Sequence, residues 1–163
     1  MHALEKVTLF LNRLLVWIGG CFLVAMILLT CANIFLRIVW VPVKGTFELM
    51  GFFGAIVAAF ALGYTQIKKG HIAVDVLIQS FSHKTRRALN VINSLICMVF
   101  FAFVAWQITK YAGTLRATGE VTETLRFAYY PFTYAVSVGC GVLALAFLNE
   151  FLKSLIPGKE EEP

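Results

Sequence analysis

Charge is scarce in this chain. Asp, Glu, Lys and Arg together make up 14% of its 163 residues, against 60% that are hydrophobic. A soluble domain carries about 25% charged and 45–50% apolar residues. That balance excludes a disordered or collagen-like chain and argues against an ordinary soluble enzyme. Histidine is as sparse: His2, His71 and His83 all lie outside the long apolar runs, which removes the axial ligands that a membrane haem-b protein needs at bilayer depth. Cys21, Cys31, Cys97 and Cys140 each lie within an apolar run, with no Cys-x-x-Cys spacing. They read as small apolar fillers, which argues against disulfide chemistry and against a four-helix membrane redox enzyme. There is no phosphate-binding Gly-Lys loop, zinc pattern or nucleophile motif. No catalytic, metal, cofactor or substrate residue is therefore assigned, and no cofactor is expected.

What is present is four long apolar runs, at about 14–36, 47–67, 89–108 and 131–152. A membrane helix needs about 20 apolar residues, so the expected fold is an all-α integral membrane protein. Residues 1–156 form its one four-helix domain, and an acidic tail over 157–163 is expected to fray. The first run is longer than the core of a signal peptide and reads as an uncleaved span. Fourteen basic residues against nine acidic give a net charge of +5, and their placement explains it. Lys6, Arg13, Lys68, Lys69, Lys84, Arg86, Arg87, Lys153 and Lys159 fall on the side of the termini and the second loop. Arg37, Lys44, Lys110, Arg116 and Arg126 fall on the other. By the positive-inside rule both termini are cytoplasmic. The basic balance is thus a topology signal, and no nucleic-acid partner is expected. Trp17, Trp40, Trp106, Tyr129, Tyr130 and Tyr134 lie near span ends, where such rings anchor in membrane lipid.

The connections carry the remaining signals. In the first, Thr46 is placed to cap the second helix and Glu48 sits in its first turn, where a carboxylate suits the helix dipole. The alternative for Glu48 is an ion pair between helices or subunits, with Arg37 across the same turn as a candidate partner. After the second span, Val74, Leu77, Ile78 and Phe81 recur at helical spacing opposite Asp75, Gln79 and Ser82. This predicts a short amphipathic helix lying in the cytoplasmic interface. His71 and Asp75 are four apart, and read as a local polar pair or a subunit contact rather than a metal or proton site. Residues 109–130 form a long polar outer connection that extends the flanking helices and offers a docking surface. Gly51, Ala55, Ala59 and Gly63 repeat every four residues in helix two, a ladder that lets helix backbones approach closely. Ala135, Ser137, Gly139 and Gly141 repeat the idea in helix four. Both faces are expected to pack inside the bundle, with Phe100, Phe101 and Phe103 turned to lipid or a partner. Asn33, Asn93, Ser94, Ser137 and the terminal Asn149 are expected to donate hydrogen bonds between helices rather than line a substrate path.

One arrangement is familiar. Asn33-x-x-x-Arg37, a short turn, Thr46-Phe47-Glu48-Leu49, a small-residue helix, and then Lys68-Lys69-Gly70-His71-Ile72-Ala73-Val74-Asp75 precede two further spans. This resembles the small membrane subunit of tripartite ATP-independent periplasmic (TRAP) transporters, from helix one to the end of helix four. The Gly-His-Ile-x-Val-Asp segment is its most specific part. Where many relatives carry Arg before the Gly-His pair, this chain has Lys68 and Lys69, which keeps the charge. The resemblance implies a bacterial inner-membrane location and a large membrane subunit that holds the substrate and sodium sites and moves as an elevator. It also implies a periplasmic substrate-binding protein that delivers an organic anion, a carboxylate or sulfonate. The small subunit would widen the static frame. Against this stands a self-sufficient homo-oligomeric transporter or channel, which would need a polar stripe through the bundle. The residues supply only isolated Asn and Ser, with no acidic residue in the first span and no interrupted pair of spans.

Overall fold

The computed structural model describes residues 2–68 and 83–155. Within them the chain forms four α-helices: α1 His2–Val39, α2 Thr46–Ile67, α3 His83–Thr118 and α4 Tyr130–Leu155. All four are long and apolar enough to cross a membrane. The amphipathic helix expected after α2, with His71 and Asp75, lies outside the described residues, as does the 157–163 tail.

The helices outrun the apolar runs that announce them. α1 has 38 residues and α3 has 36, about 57 and 54 Å at 1.5 Å per residue, where the hydrocarbon core is about 30 Å thick. Nothing obliges a helix to stop where lipid does, and both continue until a backbone signal ends them. Pro42 stands beyond the end of α1, where it blocks continuation. Gly119, at φ +67°, ends α3 by donating its N–H to the Leu115 carbonyl at 3.1 Å, a left-handed C-cap. α2 has 22 residues, about 33 Å, close to the thickness of the hydrocarbon slab.

α4 is the central element. It packs against α3, α2 and α1, and α1 also packs on α2. α3 makes no comparable contact with α1 or α2. In its most apolar 18-residue window α4 is 44% buried, α3 only 6%. The four helices are therefore a three-helix core with α3 laid against one side, not a closed ring around a lumen. Leu15 of α1, Ile56, Ala59 and Phe60 of α2 and Val142 of α4 form that core. The α3–α4 seam holds Phe101 stacked on Phe147 at 5.8 Å between centroids. It also holds a Thr109 to Ser137 hydroxyl pair at 2.6 Å, with Ser137 donating to the Ala105 carbonyl at 2.8 Å. Such bonds average about 0.6 kcal/mol in membranes. They set the register of the seam more than its strength. Phe101 thus turns inward, contrary to the lipid-facing role expected of it, while Phe100 and Phe103 stay exposed.

The small-residue ladder of α2 divides along its length. Ala59 and Gly63 are buried, but Gly51 and Ala55 are exposed, and a Cβ on Gly51 would meet nothing within 4 Å. Ala59 receives Gly139 of α4, and Gly63 receives Asn12 of α1. A Cβ on Gly63 would overlap the Asn12 amide oxygen. Asn12 is 1% exposed and its Nδ2 donates to the Thr8 carbonyl at 2.9 Å. Among the described residues its Oδ1 has no conventional hydrogen-bond partner. That oxygen faces the bare backbone of Gly63, where a weak Cα–H···O contact is the interaction open to it.

Candidate functional site

The two ends of the molecule hold its specific polar geometry. At the end of the bundle away from the described chain ends, named the outer end for the orientation expected from the sequence, α1 and α2 are joined by a turn in which Asn33 Oδ1 accepts the Val43 N–H at 2.9 Å. Asn33 serves here as an acceptor for the turn, not as a donor between helices. Gly45, at φ +75°, stands at the N-cap of α2, and its carbonyl accepts the Leu49 N–H at 3.2 Å. Thr46 does not cap the helix as its residue type suggests. It is the first helical residue, buried, and its hydroxyl donates back to the Val43 carbonyl at 2.8 Å. Glycine displaces it because the turn needs a left-handed residue at position 45 and because Leu125 lies where a side chain would go.

Glu48, in the first turn of α2, reaches across to the connection between α3 and α4. Its Oε1 accepts the Thr124 N–H at 2.8 Å and its Oε2 the Leu125 N–H at 3.1 Å. Two amide donors on one carboxylate make a charge-assisted fork. The connection itself is a small closed loop. Val121 and Ala128 form an antiparallel bridge. The Thr122 N–H donates to the Phe127 carbonyl at 2.9 Å, and the Phe127 N–H to the Thr122 hydroxyl at 3.1 Å. Arg126 is held at φ +53°, a conformation disfavoured for a residue with a side chain. It persists because the surrounding bonds and the Glu48 fork leave the loop no alternative. Leu125 then packs over Gly45. The outer loop is thereby latched onto the start of α2, with Glu120, Glu123 and Arg126 exposed on it and Arg116 exposed in the last turn of α3.

Arg37 is exposed, and no salt bridge joins it to Glu48 among the described residues. The sequence places the two on one turn. The structure gives Glu48 to backbone amides 76 and 77 residues away, a partnership no spacing rule announces. The turn itself supplies a test. Gly45→Ala places a side chain at positive φ, at a cost of about 1–2 kcal/mol, and displaces Leu125. The expected result is a lower unfolding temperature for the purified chain, with the far-ultraviolet helical signal retained below it.

At the opposite end, named the inner end on the same expectation, the other helices overrun the end of α2. Lys153 of α4 pairs with Glu5 of α1 at 2.5 Å, which puts the two ends of the described chain on one side of the slab. Gln66 Nε2 donates to Glu150 Oε2 at 2.7 Å. Between the helices is an open cavity of about 150 Å3.

Between these ends the surface is apolar. Ile38, Trp40 and Phe47 surround the outer turn with most of their area exposed, and Trp17 does the same nearer the other end of α1. Lys110 Nζ lies 4.3 Å from the centroid of the Trp106 ring, so its charge is carried at the level of an aromatic anchor. Among the described residues no group of three His, Cys, Asp or Glu side chains is placed to hold a metal. What the arrangement offers chemically is a broad lipid- or protein-facing surface and one ordered outer loop. A family model for tripartite ATP-independent periplasmic transporters, DctQ component, matches residues 26–156. That stretch runs from the middle of α1 past the end of α4. No curated protein matches the chain.

Proposed function

This chain belongs to the DctQ component family of tripartite ATP-independent periplasmic transporters, and from that membership we propose that it is the non-catalytic frame subunit of a sodium-coupled importer of organic anions. It is a multi-pass membrane protein of a system that also comprises a large membrane subunit and a binding protein. In this reading the large subunit holds the substrate and sodium and moves, while this chain stays fixed. The binding protein delivers a carboxylate or sulfonate at the outer face. The chain sits in a bacterial inner membrane with both termini in the cytoplasm.

The observation that carries the reading is the absence of any interior through which a solute could pass among the described residues. Among the described residues α3 packs chiefly on α4, so the helices do not close into a ring around a lumen. Several polar groups within the helices are committed locally: Asn33 to the Val43 amide, Ser137 to Thr109 and the Ala105 carbonyl, and Thr30 to the Met26 carbonyl, while the Asn12 oxygen is closed off against Gly63. A frame needs breadth in lipid and fixed ends, which the exposed apolar faces and the Glu48 latch provide. Arg37, His71 and Asp75 are assigned to subunit contact or loop architecture, and the exposed Gly51 and Ala55 to helix contact. Expression with the large subunit tests the assignment: the two are expected to purify together through a tag on either one. Recovery of each alone, from membranes where both are folded, would count against it.

A further inference from the structure

The inner-end cavity has a composition that the frame role does not require. It lies between α1, α2 and α4 and is lined by Glu5, Thr8, Leu9, Gln66, Asn149 and Glu150, among others. Gln66 is the second-last residue of α2, so the cavity opens at the boundary of the hydrocarbon slab, where lipid headgroups lie. Two of its charges satisfy each other, Glu5 with Lys153. Glu150 differs. It is half-buried, it accepts a hydrogen bond from the neutral Gln66, and no cation pairs with it among the described residues. A carboxylate at this depth is ordinarily paired, because an uncompensated charge there is costly. The missing partner is a cation, and the cavity beside Glu150 has room for a small one.

The surroundings specify what kind. A primary ammonium carries three donors and no acceptor, matching the Glu150 carboxylate, beside which Asn149 lies in the lining. Arg13 follows Leu9 by four residues, on the same face of α1. It is exposed, and helix Cα–Cβ bonds tilt toward the N-terminus, the direction in which the lining residues Glu5, Thr8 and Leu9 lie from it. Beyond it the surface of α1 is apolar and open at Phe10, Leu14 and Trp17. An anion beside the ammonium and an acyl chain beyond both would complete the set. We propose that this cavity binds the headgroup of an aminophospholipid, with Glu150 as the partner of its ammonium group and Arg13 placed for its phosphate. The site distinguishes ethanolamine from choline headgroups, since a trimethylated nitrogen is bulkier and donates no hydrogen bond. It requires only a bilayer and stands apart from the transport reading.

The test uses the full chain in mild detergent, exchanged into mixed micelles holding equal amounts of phosphatidylethanolamine, phosphatidylcholine and phosphatidylglycerol. Retained lipid is counted by native mass spectrometry. The expected result is one phosphatidylethanolamine held in preference to either competitor by about tenfold or more, a difference of about 1.4 kcal/mol. Glu150→Gln keeps the shape of the site, and the preference is expected to vanish. Glu150→Asp keeps the charge and is expected to retain most of it. Equal retention of the choline lipid would overturn the proposal, as would preference for phosphatidylglycerol or an unchanged preference in Glu150→Gln. Displacement of the lipid by an equal concentration of free phosphoethanolamine would also overturn it, by making the site one for soluble amines.

Discussion

Glu48→Ala is expected to release the outer loop from α2 while leaving the four helices in place. The substitution removes both acceptors of the Thr124 and Leu125 amides and supplies nothing in return. The loop retains the Thr122–Phe127 pairing, but without the fork the strained backbone at Arg126 is free to relax, and Leu125 no longer has a fixed seat over Gly45. Hydrogen exchange reads this directly: the Thr124 and Leu125 amides should exchange at least about tenfold faster, as expected when a local opening loses its restraint. Amides in the middle of α2 and α4 should be unaffected. Glu48→Gln keeps one acceptor oxygen and should fall between the two. On the proposed frame role, in the assembled transporter Glu48→Ala should lower assembly or uptake without changing which anion is preferred. Unchanged exchange at both amides would mean that the fork contributes little and that the loop is held by its own bonds.

Gly139→Leu has the largest effect expected on the helices themselves. A Cβ at Gly139 would lie 2.9 Å from both the Ala59 carbonyl oxygen and the Ala59 Cβ. The obstructing atoms belong to a helix backbone and a methyl group, and neither can rotate away. α2 and α4 must separate, and the core of Leu15, Ile56, Phe60 and Val142 opens with them. Overpacking of this type costs about 1–3 kcal/mol in well-packed interiors, and a leucine lies at or above the upper end. Gly141 supplies the control two residues away, since a Cβ there meets nothing within 4 Å. Gly139→Leu should lower the thermal unfolding temperature in detergent by several degrees and broaden the size-exclusion peak, while Gly141→Leu should do neither. Equal losses in the two variants would show that leucine is harmful anywhere on this helix and that the close approach at Ala59 is not its cause.

The four spans were legible because lipid imposes a single, long-range demand: about 20 apolar residues in a row. Their ends were not. Glu5, Lys6 and Arg13 interrupt the apolar pattern and so read as the edge of α1. Yet the helix runs on to His2, because charged residues are good helix formers once outside the hydrocarbon. The ladder on α2 was visible as a spacing of four, but spacing shows that a face is smooth and not what lies against it. That Ala59 and Gly63 are covered while Gly51 and Ala55 are open depends on where α4 and α1 cross α2. Glu48 was read in two ways, as a first-turn carboxylate suited to the helix dipole or as one half of an ion pair. The structure supplies backbone amides instead, which carry no sequence signature because every residue but proline has one. The inner cavity was illegible for a similar reason. Glu150 and Gln66 come from the ends of two helices 84 residues apart, and only their convergence marks the site.

The central claim is that this chain frames transport without performing it. Uptake into proteoliposomes tests it most directly, with the large subunit and binding protein present, a sodium gradient imposed, and a panel of labelled organic anions, with and without this chain. The account predicts uptake only when all three components are present, and none from this chain alone. Flux carried by this chain by itself would contradict it, and so would full uptake by the other two components in its absence.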